Sequence, residues 1–265
     1  MKWIVPQILK TEFISGLTFY KISKYNLCPR YNQLFDINHL NEDDLLFLNL
    51  DHYEQFINFV ISNKINKKFT LITHNSDRDF TKDMFNIFEN HIKHIFAINC
   101  TYQHNKITKI PLGFNDQSTE ILDKKDFSFK EKQNLIYMNF KIHHHIDRKK
   151  CFDYFNQFNW VDKDETILSY SDFYDKLSTY KYCISPRGTG IDTHRLYESL
   201  LFGVLPIVKK SELDDLYESF PVILVNDWNE ITYEFLNENY ETFLKKLLKW
   251  KEENKNWFLP KFWIK

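Results

Sequence analysis

Between Ser185 and Glu198 the chain reads SPRGTGIDTHRLYE, which puts two arginines, a histidine, two carboxylates and two glycines within one short stretch. Three of the chain's five glycines fall between Gly188 and Gly203. The preceding Tyr182–Ser185 reads as a strand, and Pro186 ends it by removing a donor. Gly188 and Gly190 permit positive φ and let backbone approach a ligand closely. A helix is expected from Ile191, with Asp192 and Thr193 in or near its first turn, and Gly203 stands where a helix C′ residue belongs. Such a turn directs free N–H groups and the positive end of a helix dipole at one point, which suits a phosphate. Gly188, Thr189 and Gly190 would supply the N–H groups. Arg187 and Arg195 could add bidentate contacts to a diphosphate. Glu198 could accept both hydroxyls of a ribose, or pair with Arg195 three residues earlier. His194 could line a cleft or be bonded within helix–sheet packing, and Asp192 could be a helix N-terminal carboxylate instead of a ligand. G-x-x-x-x-G-K-[ST] and G-x-G-x-x-G are both absent, so neither a P-loop nor a dinucleotide fingerprint applies.

The elements that must position this loop follow an α/β pattern. Asp44–Leu50, Lys68–His74, His94–Cys100 and Lys106–Phe114 read as strands. Tyr53, Phe56, Ile57 and Val60 have helical spacing, and the 83–91 stretch reads as a second helix. The polar stretch Asp116–Asn134 is the candidate linker. A second series follows: a strand at Leu135–Phe140, helices near 148–158 and 171–180, the glycine loop, strands at 204–208 and 221–225, and a long C-terminal helix before Pro260. Alternation of this kind predicts parallel sheets. The boundary is placed at residue 125, giving an N-terminal domain of 1–125 and a C-terminal domain of 126–265 whose last helix packs back.

Bulk composition narrows the partners. The chain has 265 residues, 43% hydrophobic and 27% charged, with 35 Lys plus Arg against 36 Asp plus Glu. The resulting net charge of −1 argues against bulk nucleic-acid binding. Cys28, Cys100, Cys151 and Cys183 are too scattered for a disulfide framework and are expected as thiols. No apolar run is long enough for a signal peptide or a membrane span, so a soluble cytoplasmic protein is expected. The Asn99-Cys100-Thr101 sequon is a chance-level match. Oligomeric state is not legible.

The full string from Cys183 to Val208 resembles the signature of the exostosin-like glycosyltransferases: a strand, S-P-[RE]-G-x-G-x-D-x-H-R, a helix carrying W/Y-E, then G-x-[IVL]-P-I. THNSD (Thr73–Asp77), FAINC with KIPLGFNDQS, LIYMNFKIHHHIDRKKC and VNDWNEI are similar to further family blocks in the right order. The likeness covers roughly Phe69–Glu230. It implies a GT-B fold, two Rossmann-like domains facing across a cleft, with nucleotide sugar on the C-terminal domain and acceptor on the N-terminal one. It further implies inverting transfer of a xylose-, glucuronate- or galactose-type sugar from a UDP donor to a glycan or glycoconjugate hydroxyl, with no cofactor and no metal. Asn139 and Arg148 join the donor-binding set on this basis.

Inverting transfer requires a general base. The loop after the Lys68–His74 strand would point into the cleft, which makes Asp77 and His74 the candidates, against turn chemistry for both. His143-His144-His145 does not form a metal site by spacing alone. Two rivals remain. One is a metal-dependent GT-A transferase using Asp77–Asp79 or Asp162–Asp164 as D-x-D; the other is a non-catalytic nucleotide-sugar-binding protein.

Overall fold

The computed structural model describes residues 13–27, 41, 44–62, 67–164 and 166–264. Met1–Lys10 and Cys28 lie outside them. Two five-stranded, all-parallel sheets form the frame. The first contains β1 (Tyr25–Leu27), β2 (Leu45–Asn49), β3 (Phe69–His74), β4 (Ile92–Ala97) and β5 (Ile107–Lys109), in sequential order. The second contains β6 (Asn134–Met138), β7 (Val161–Lys163), β8 (Tyr180–Ile184), β9 (Leu205–Lys209) and β10 (Ile223–Val225), in the order β10-β9-β8-β6-β7. These are the two Rossmann-like domains expected.

Parallel sheets are covered on both faces, and the alternation along the first sheet shows how. Leu46, Leu48, Leu71, Ile95 and Ala97 pack under α2 (Tyr53–Ser62) and α3 (Lys82–Phe88). Phe47, Ile72 and Phe96 point the other way, into a core continuous with that of the second sheet. Phe19 of α1 (Gly16–Ile22) joins that core.

The candidate linker is partly structured: α4 (Thr119–Leu122) interrupts it. Its Lys132 is buried and donates to the carbonyls of Ser178 and Phe202 at 2.7 and 2.8 Å. Beyond it lie α5 (Ile146–Phe155), α6 (Tyr170–Leu177), α7 (His194–Leu201), α8 (Asp214–Tyr217), the 21-residue α9 (Tyr233–Glu253) and α10 (Pro260–Trp263). α9 lies along the second sheet, where the Tyr182 hydroxyl donates to the Leu236 carbonyl. The chain end then returns to the first half, where Ile14 N–H donates to Phe258 O at 2.7 Å. No helix among the described residues is long and apolar enough to cross a membrane. Cys100, Cys151 and Cys183 are buried free thiols, as expected.

α7 ends as its sequence predicts. Gly203 has φ +69, with its N–H on Leu200 O and that of Val204 on Ser199 O, a complete Schellman closure. The start differs from expectation. α7 begins at His194, with Thr193 as N-cap, so Ile191 and Asp192 belong to the loop.

Candidate active site

In the second sheet the strand order reverses between β6 and β8. Open α/β sheets bind ligands in the crevice outside the carboxyl ends of strands at such a reversal. A cleft of about 730 Å³ lies there. Asn139 follows β6, and the glycine loop follows β8. Gly188, Thr189, Gly190, Thr193, His194, Arg195 and Glu198 all line the cleft, with Asn139 and Arg148. Asp77, Leu112 and Asn115 line it from the first half.

Neither Gly188 nor Gly190 adopts positive φ, so the loop needs glycine for space and not for backbone conformation. A Cβ on Gly188 would sit 2.9 Å from Arg148 Nη2. One on Gly190 would sit 2.9 Å from Asn99 Nδ2 and 3.3 Å from Asp77 Oδ1. Among the described residues, the N–H groups of Gly188, Thr189 and Gly190 donate no hydrogen bond. They are backbone donors without a protein partner, on residues that line the cleft.

Two cations accompany it. Arg148 Nε donates to Arg187 O at 3.0 Å and Nη1 to Lys141 O at 3.3 Å. Burial, then the nearby charge of Arg195, pushes its pKa down, although an arginine remains protonated. Arg195 lies with its guanidinium carbon 4.0 Å above the Phe173 ring. Its Nη1 donates to the carbonyl and side chain of Asn139, and its Nε is 3.4 Å from Glu198 Oε2. Glu198 is 3% exposed and accepts the Tyr174 hydroxyl at 3.0 Å. The Arg195–Glu198 pair therefore forms, and each carboxylate oxygen retains a lone pair.

Asn139 is itself held by Asp164, which also accepts the Tyr137 hydroxyl and pairs with Lys176. Burial opposes ionisation of Asp164, but bonds from Lys176, Tyr137 and Asn139 keep its carboxyl below the usual range. Asp162 accepts the Tyr180 hydroxyl at 3.0 Å. Both aspartates of this D-x-D match are thus engaged by protein donors.

Three expectations are corrected. The Arg187 side chain does not line this cleft. It turns to a second pocket on the other side of the loop, while its carbonyl supports Arg148. His74 is 1% exposed, beneath the cleft and not in its lining. It packs against Phe19 and Phe47, its Nδ1 accepts Asn75 N–H, and burial lowers its pKa to about 4. Asp192 also borders the cleft, but its carboxylate is spent inside the protein. It accepts from Leu112 N–H and Tyr197 on one oxygen and from Thr193 N–H and Tyr217 on the other. Burial still raises its pKa.

His194 is half-buried at the cleft. Its Nδ1 lies 2.7 Å from the Gly113 carbonyl, which can only accept, so Nδ1 carries the hydrogen. The histidine tract forms a short 3-10 turn at Ile142–His144 and the N-cap of α5 at His145. No group of three or more His, Cys, Asp or Glu side chains comes together among the described residues.

One contributor is absent from the sequence-derived set. Asn99, at φ 47 and 2% exposed, accepts Asp192 N–H at 2.8 Å and donates to Ser76 O at 3.3 Å. It ties the glycine loop to the loop that carries Asp77. Its burial also removes the sequon from consideration. The signal was its place at the end of a predicted strand, beside a residue type that tolerates left-handed backbone.

No known protein family's profile matches the chain. No curated protein matches it. Among solved structures, one described as "Crystal Structure of alpha1,3-Fucosyltransferase" is similar at 15% identity and a TM-score of 0.46, over 80% of this chain and 70% of that one. The likeness is distant; strand order and cleft geometry carry the fold.

Proposed function

We propose that the chain is a glycosyltransferase. It moves a sugar from a nucleoside diphosphate, a UDP-sugar of the xylose, glucuronate or galactose type, to a hydroxyl of a glycan or glycoconjugate, with inversion and without a bound metal. One observation carries the reading. Three residues whose backbone N–H groups donate to no protein acceptor, and two arginines, line a large cleft at the strand-order reversal. Fixed dipoles and cations of this kind stabilise the charge that grows on a departing diphosphate.

In the reaction, the acceptor oxygen attacks the anomeric carbon from the face opposite the diphosphate. The bond to the leaving phosphate oxygen breaks and its electron pair stays with the phosphate. The acceptor proton passes to Asp77, the carboxylate on the cleft wall from the first half. Glu198 fixes Arg195 and uses its spare lone pairs on ribose hydroxyls. Asn139 aims Arg195, and Thr189 and His194 border the diphosphate.

A thermal-shift panel of UDP, GDP and CDP and their sugars tests this. A UDP-sugar at about 100 times its Kd stabilises by about 2.7 kcal/mol, a rise of several degrees. Arg195→Ala should cut the rise to about half or less, and EDTA should leave transfer intact. A wild-type protein unmoved by every nucleotide would overturn the reading. Transfer lost to EDTA and restored by manganese would overturn its metal independence.

A further inference from the structure

Helices α6 and α7 both start at the cleft, where Tyr170 and Phe173 of one and His194, Arg195 and Glu198 of the other are part of its lining. There the two helices are tied together. Arg195 stacks on Phe173, and the Tyr174 hydroxyl donates to Glu198. Their far ends are tied a second time, by lysines. The closure at Gly203 satisfies the carbonyls of Ser199 and Leu200, which leaves those of Leu201 and Phe202. Lys251 of α9 donates to Leu201 O at 3.0 Å. Lys132 of the linker donates to Phe202 O at 2.8 Å. The same Lys132 ammonium donates to the carbonyl of Ser178, the C-cap of α6, at 2.7 Å. One cation thus sits on the C-terminal ends of both cleft helices.

Burying an ammonium is costly, and these two are 6% and 8% exposed, Lys132 and Lys251 respectively. Among the described residues, the charges acting on Lys132 are those of Lys251 and Lys130, both cations. The Phe129 ring lies 5.6 Å from its ammonium, and α6 and α7 present carbonyls to it. The compensation therefore comes from helix ends. Carbonyls of a last turn carry the negative end of the helix dipole, and an ammonium brings three donors to them. An apolar side chain would avoid the burial of charge but would leave the Ser178 and Phe202 carbonyls without that donor. The backbone holds the lysine in place, because the N–H groups of Gln133 and Asn134 both donate to Thr179 O, at 2.9 and 3.1 Å.

We infer that Lys132 is a positioning residue for the nucleotide site: it sets the spacing of α6 against α7, and with it the register of Phe173 with Arg195 and of Tyr174 with Glu198. Lys251 supports it from α9. For the nucleotide the inference rests on the proposed transferase reading; for the helix pair it rests on geometry alone. Hydrogen bonds from an ion are roughly twice as strong as neutral ones. Burial, then the Lys251 charge, pushes the Lys132 pKa down to about 7, so the tie slackens as pH rises through that value.

Two measurements on the full chain test this. The first is calorimetric titration with UDP at several pH values from 6 to 8.5. At the acid end Lys132→Met should bind UDP about tenfold more weakly than wild type. The ratio of the two affinities, in which the ionisation of UDP itself cancels, should narrow as pH rises. Lys132→Arg, charged at every pH, should restore most of the affinity and abolish the narrowing. Should Lys132→Met not fold, Lys132→Gln takes its place. The second measurement needs no nucleotide. Tyr174→Phe deletes the bond between α6 and α7 at the cleft, and it should lower Tm less in the Lys132→Met background than in wild type. Equal UDP affinity in wild type and variant, a ratio constant across pH, or additive Tm shifts would each overturn the inference. Failure of UDP to bind the wild type would instead strike the transferase reading, and the Tm shifts would then decide on Lys132.

Discussion

The two halves are built from the same parts and do different work. The first sheet runs β1 to β5 in sequential order, and among its described strands no reversal opens a crevice. The second reverses between β6 and β8, and there the unpaired N–H groups, Arg148, Arg195 and Glu198 gather. The first half contributes loop ends only: Asp77 after β3, Asn99 after β4, and Leu112 after β5. Two of these, Asn99 and Leu112, bond the Asp192 segment. On the proposed reading, topology decides which half binds, and the other half fixes the shape of the binder.

Breaking the second half should cost nucleotide affinity most. Arg195→Ala removes the cation stacked on Phe173, and nucleotide affinity should fall roughly tenfold to a hundredfold by calorimetry. Gly190→Val comes next. Its Cβ would meet an Asn99 amide that cannot retreat without losing Asp192 and Ser76, so stability should fall by about 1–3 kcal/mol in urea unfolding. Asn99→Ala breaks the first half's hold on the loop. Nucleotide affinity should drop about tenfold although Asn99 lies outside the cleft lining, and Asn99→Asp, which keeps the acceptor for Asp192 N–H, should recover part of it. Unchanged affinity in Asn99→Ala would remove the first half from the account of the loop.

Stability also carries a pH dependence seated in the first half. His74 is neutral when folded, its pKa lowered from 6.5 to about 4 by burial. Below pH 6.5 the unfolded chain binds the proton and the folded chain does not, so stability falls as pH drops toward 4. The loss is on the order of 3 kcal/mol over that window. His74→Phe should flatten it in denaturant melts between pH 4 and 7.

The second half was legible in the sequence because its signals are local. A strand, a proline stop, glycines, a helix and the Gly203 closure all act within one continuous segment. Side-chain direction was not local. Arg187 and Arg195 look equivalent as text, yet on either side of the bend at 189–192 they line different pockets. The role of Asp192 depends on Tyr217 and Leu112, which lie 25 and 80 residues away in the chain. His74 sits at the last position of a strand, where one step of pleat separates the cleft from the core. The expectation that glycine was chosen for positive φ also failed, because the crowding comes from Arg148 and Asn99, which no nearby residue announces.

The central claim is that the backbone from Gly188 to Gly190 receives a diphosphate. Amide hydrogen exchange across that segment, with and without saturating nucleotide, tests it directly. The account predicts slowed exchange at Gly188, Thr189 and Gly190 when nucleotide is bound. Unchanged exchange there, with protection appearing elsewhere on the chain, would contradict it.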